Sequence, residues 1–165
     1  MSKVTLRVLK GFIAGLVASL IISSIAGRLG LFKELGLVLV GASITFFVWG
    51  LIANMTPLGN YFRQQRAQFI RPIFESSHIF ASWMVYFWCA LGLQFFVLPI
   101  VHNVSEALLY GLIFALVVEG VFGFASYSSV NHYSAKLLIT GMIVGCIIIS
   151  GVSVLLFWLN TLQLI

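Results

Sequence analysis

One carboxylate, Glu119, lies in the middle of about twenty apolar residues, in the stretch Ala107–Asn131 (ALLYGLIFALVVEGVFGFASYSSVN) that ends in a small polar cluster at Ser126–Asn131. A charge at membrane depth is unfavourable by roughly 2.5–3.5 kcal/mol on insertion scales, so such a residue marks a functional position by default. Two kinds of chemistry are open to it. It can exchange protons or bind cations on a wet path, or it can stay neutral and bridge helices by hydrogen bonds, since desolvation favours the protonated form. A helix rises about 1.5 Å per residue, which places Glu119 about 12 Å into its span. Thr45, Tyr86, Trp88 and Gly145 come out at similar depth on other apolar runs, so the first three are candidate partners and Gly145 allows close approach. No Lys or Arg lies at that depth within a span to neutralise the acid, and no second acid or polar stripe follows it along its helix. The bridging role is therefore the leading expectation.

Other residues with reactive side chains are sparser. Glu75 and His78 have the Glu-x-x-His spacing that puts both on one helical face, as in carboxylate-bridged metal sites. Such sites need matching ligands from other helices, and only His132 is on the same side, so capping of the third span is the better reading. His102 stands alone on the opposite side; axial ligation of a haem or pigment is its sharper alternative to a solvated position. Cys89 and Cys146 lie in apolar runs without metal-like spacing and read as small core residues. Nucleophile motifs, phosphate-binding Gly-rich loops and paired carboxylates are absent from the sequence. No cofactor is required by it, although the aromatic third run, with Phe80, Trp83, Tyr86, Phe87, Trp88, Phe95 and Phe96, is compatible with a bound lipid, quinone or pigment.

The elements that position these residues follow from composition. The chain has 165 residues, of which 61% are hydrophobic and 8% charged. That balance excludes an ordinary soluble domain. Five continuous apolar runs, near 8–26, 35–53, 79–101, 107–127 and 137–159, are long enough to cross a hydrocarbon core. They lack the alternation of a membrane barrel, so the expected fold is all-α: a single polytopic domain of five transmembrane helices. The first run, preceded by Lys3, Arg7 and Lys10, is read as a retained helix and not as a signal peptide. It carries Gly11-x-x-x-Gly15 and then Ser19, and the last run carries Gly141-x-x-x-Gly145, both small-residue patterns that let helices pack closely.

The net charge of +5 is read as topology and not as nucleic-acid binding. Lys3, Arg7, Lys10, Arg63, Arg66, Arg71 and Lys136 fall on one side of the spans and only Arg28 and Lys33 on the other. This bias puts the N-terminus in the cytoplasm and the C-terminus outside. The basic connection 54–78 is then cytoplasmic, and Asn60–Arg71 within it suits either a short interfacial helix or a plain basic loop. The sequons at Asn54 and Asn103 are read as unglycosylated.

Several short motifs carry a resemblance: Trp49-Gly50, Tyr61-Phe62-Arg63-Gln64-Gln65, Phe96-Val97-Leu98-Pro99, Ala107-Leu108-Leu109-Tyr110-Gly111, then Gly120, Tyr127 and Asn131. From about Leu35 to Leu159 the chain resembles a family of small bacterial inner-membrane proteins, the domain of unknown function 2177. The family looks like four helices with a Tyr-Asp-x-Thr-Asn signature after its third. Here that signature reads Tyr127-Ser128-Ser129-Val130-Asn131, without the Asp and Thr, and family acids expected near Phe46 and Gly141 are missing. The first run is additional. The resemblance implies a bacterial inner membrane and a polar cytoplasmic rim that here keeps Trp49, Tyr61, Tyr127 and Asn131 but has lost its acids.

The function expected from these readings is a non-catalytic accessory or assembly subunit packing against other membrane protein subunits in the lipid bilayer. A small proton-coupled or ion-conducting transporter using Glu119 is the alternative. A lipid- or quinone-binding protein, or an enzyme acting on lipid or quinone at the cytoplasmic rim through Tyr61, Tyr127, Asn131 and His132, comes third.

Overall fold

The computed structural model describes residues 3–27, 32–66, 76–129 and 133–162, and every regular element among them is helical. In chain order these are α1 (Lys3–Gly27), α2 (Phe32–Met55), α3 (Pro57–Arg66), α4 (Ser76–Gly92), α5 (Val104–Ser129) and α6 (Ala135–Thr161). Past Gly92, α4 continues as a π-helical turn, Leu93–Val97, and a 3₁₀ turn, Leu98–Ile100. Five of these helical stretches, Leu6–Ile25, Lys33–Leu51, Ile79–Ile100, Val104–Ser129 and Ala135–Thr161, are long and apolar enough to cross a membrane. The chain forms two compact units, one up to Leu91 and one spanning Gly92–Leu164.

The first unit is built around the small-residue row of α1. Gly11, Gly15, Ser19 and Ser23 recur every fourth residue, and all four are buried. Helical residues four apart share a face, so the row forms a shallow groove. Trp83 of α4 fills it, fully buried. A Cβ added at Gly15 would stand 2.6 Å from Trp83 Cδ1, which only a glycine permits. The Trp83 indole Nε1 donates to Ser19 Oγ at 2.8 Å, and Ser19 Oγ donates in turn to the Gly15 carbonyl at 2.9 Å. Phe12 and Phe46 meet the indole edge-on, with ring centroids at 5.1 and 5.6 Å. Such rings add about 0.5–1.5 kcal/mol per pair beyond area burial.

The connection 54–78 contains a helix where the sequence allowed either a helix or a loop. Thr56 starts α3: its hydroxyl accepts from Gly59 N at 3.2 Å and its carbonyl from Asn60 N at 3.2 Å. Pro57 follows at the first helical position, where its missing N–H does no harm. Phe62 is buried beneath the helix, its ring 6.0 Å from Trp49 of α2.

In the second unit α5 and α6 form a tightly packed pair. α5 begins at a reciprocal cap, in which Asn103 Oδ1 accepts from Glu106 N at 2.9 Å and Asn103 Nδ2 donates to Glu106 Oε1 at 2.8 Å. The Asn103 side chain of the sequon is thereby engaged. Ser134 caps α6 by accepting from Leu137 N at 3.1 Å. The middle of the far side of α5, including Leu109, Ile113, Leu116, Val117 and Val121, is exposed and apolar, as suits a lipid-facing surface.

Candidate functional site

The α5 face that meets α6 is a row with period four: Ala107, Gly111, Ala115, Glu119 and Gly123. The first three are buried. Opposite them, Ser153 of α6 packs on Gly111, where an added Cβ would lie 2.5 Å from Ser153 Cβ, and its hydroxyl donates to the Ala107 carbonyl at 2.8 Å. Gly123 faces Leu138. Between these contacts Glu119 reaches over Gly145, and a Cβ at Gly145 would run into the Glu119 carboxyl group. Glu119 is half-buried, and Cys146, the residue after Gly145, is a buried free thiol.

On α5 the residues one turn to either side of Glu119 in this row are Ala115 and Gly123. Such a row brings two helix backbones together, and the carboxyl group takes up the space that Gly145 leaves.

The other residues singled out by sequence are distributed as follows. Thr45 is buried in the first unit and donates to the Gly41 carbonyl of its own helix at 2.7 Å. Tyr86 is half-buried there, its ring 6.3 Å from Phe46. Trp88 turns outward with 52% of its surface exposed, against Phe87 at 5.8 Å. Trp49 and Tyr61 both pack on Phe62, Tyr61 at 5.7 Å, so these two rim residues share one aromatic cluster. Tyr127 is exposed near the end of α5. Gly11 is buried on α1, whereas a Cβ at Gly141 would meet nothing within 4 Å. His102 is exposed, and its backbone N–H donates to Glu106 Oε2 at 2.8 Å. Glu75, Asn131 and His132 lie outside the described residues, as does the side chain of His78. Among the described residues no three His, Cys, Asp or Glu side chains converge as metal ligands.

Sequence reasoning passed over Gln94 and Asn160. Gln94 is buried, and the two amides bond reciprocally: Gln94 Nε2 to Asn160 Oδ1 at 3.3 Å and Asn160 Nδ2 to Gln94 Oε1 at 3.1 Å. Asn160 Nδ2 also donates to the Leu156 carbonyl at 2.8 Å. The available signal was a glutamine in the middle of an apolar run, five residues before Pro99. No family model, curated protein or solved structure matches this chain.

Proposed function

We propose that this chain is a non-catalytic integral membrane protein, an accessory or assembly subunit that packs against other membrane protein subunits. The observation that carries the reading is the setting of Glu119, on a close-packed row of small residues and over the backbone of Gly145. Several polar groups elsewhere within the spans are engaged between helices, as in Trp83 with Ser19, Ser153 with the Ala107 carbonyl, and Gln94 with Asn160. Gly120, Gly141 and Gly151 are open, each with room for a neighbouring helix to approach closely. The partners are the lipid bilayer and further membrane subunits, with no nucleic acid. The placement is a bacterial inner membrane with the N-terminus in the cytoplasm; the basic-residue count and the family motifs support it. The resemblance to the domain of unknown function 2177 rests on those motifs alone.

A second reading, a proton-coupled or ion-conducting transporter, draws on Glu119 being a half-buried acid inside a span. Binding of lipid or quinone at the rim is a third, and the joint packing of Trp49 and Tyr61 on Phe62 favours it. Two variants separate the first two readings. Glu119→Gln keeps shape and hydrogen-bonding capacity, so folding, abundance and partner binding survive. Glu119→Leu places a branched Cγ against Gly145 and removes the polar group, which lowers stability by about 1–3 kcal/mol. Equal assembly of both variants, with ion flux through liposomes abolished in both, would instead support transport, because an amide cannot titrate.

A further inference from the structure

The C-terminal end of the α4 span departs from α-helical geometry in a specific way. In place of an i−4 bond, Leu98 N–H bonds to the Leu93 carbonyl, five residues back, and Pro99 sits in the 3₁₀ turn that follows. Proline explains both. It has no N–H for the Phe95 carbonyl, and its ring would clash with that carbonyl in an α-helix. A π turn one turn upstream removes the conflict by inserting one extra residue. One residue is about 100° of helix rotation, so the side chains on the two sides of the turn are out of phase by that amount relative to a continuous α-helix. Gln94 lies inside the turn, and it is this side chain that meets Asn160 near the end of α6.

We propose that Pro99, Gln94 and Asn160 are one device: the proline sets the phase of the helix so that the glutamine amide clasps the asparagine amide and locks this end of the span onto α6. Pro99 is then a positioning residue that acts through a pair of hydrogen bonds it does not touch. Both clasp partners are amides, so the lock holds irrespective of pH. A part-buried amide pair also favours one register between two apolar helices, because only that register brings the two amides together.

Reversible unfolding of the full chain in mixed micelles, by titration with a denaturing detergent, tests this. Asn160→Leu leaves the buried Gln94 amide unmatched and Gln94→Leu takes from the half-buried Asn160 its cross-helix partner, and each should shift the folding equilibrium about three- to twenty-fold toward unfolding, from intramembrane hydrogen bonds of roughly 0.6–1.7 kcal/mol. Pro99→Ala should shift it by a similar factor. Replacing both amides together, Gln94→Leu with Asn160→Leu, leaves no orphan and should fold comparably to the parent. Adding Pro99→Ala to that double variant should then change the equilibrium less than two-fold. A shift as large as in the parent would mean that Pro99 acts independently of the clasp and would overturn the proposal, even if a single variant fails to fold.

Discussion

Among single residues, Gly145 is the seat of Glu119. A methyl group at Gly145 would take the place of the Glu119 carboxyl, so Gly145→Ala should push that side chain into another rotamer and lower stability by about 0.5–1.5 kcal/mol. Shortening the acid at the same time, with Glu119→Ala, should recover part of that loss, since contacting residues couple by about 0.5–3 kcal/mol. Unfolding midpoints of the two single variants and the double variant measure the coupling, and strict additivity would mean that the two residues do not share space. Much of this pair was legible in the sequence, because helical rise alone puts Gly145 at the depth of Glu119. The i, i+4 row that seats the acid, Ala107 to Gly123, is equally present in the sequence, but a row of small residues gains meaning only once its facing helix is known. The pairing of Gln94 with Asn160 was illegible for the same reason: it joins residues far apart in the chain, and nothing local to either names the other.

At the scale of the elements, the five spans were readable because each is a continuous apolar run, and helices satisfy their own backbone groups in lipid. Their ends follow from chemistry that is local to the chain, such as the Asn103/Glu106 cap and the Thr56–Pro57 start of α3. The π turn in the α4 span was not readable, because a shift of one residue in phase leaves hydropathy unchanged. The packing of α1 is the clearest test at this scale. Gly15→Ala forces the rigid Trp83 indole away from the α1 groove and from Ser19 Oγ, with a loss of about 1–3 kcal/mol. Thermal unfolding in detergent, followed by Trp fluorescence, reports the loss directly. Gly141→Ala, at a glycine with open space around it, serves as the control and should be near neutral in the isolated chain. In the native membrane the same control has a second use, since a neighbour packed on Gly141 would make it destabilise the complex.

At the scale of the whole molecule, the proposed orientation and the proposed role make separate predictions. With the N-terminus in the cytoplasm, a reporter active only there should be active when inserted near Gln65 and silent when fused after Ile165, and the reverse pattern would overturn the orientation. The proposed role accounts for an α5 whose far side is exposed and apolar in its middle and for glycines that meet no neighbour within the chain. The most direct test is the mass of the particle extracted from native membranes in a mild detergent, with its composition read by mass spectrometry. The expected particle is larger than one chain, with another membrane protein present in fixed ratio and lost on Gly141→Leu. A stable particle containing a single copy of this chain and no other protein would contradict the proposed role.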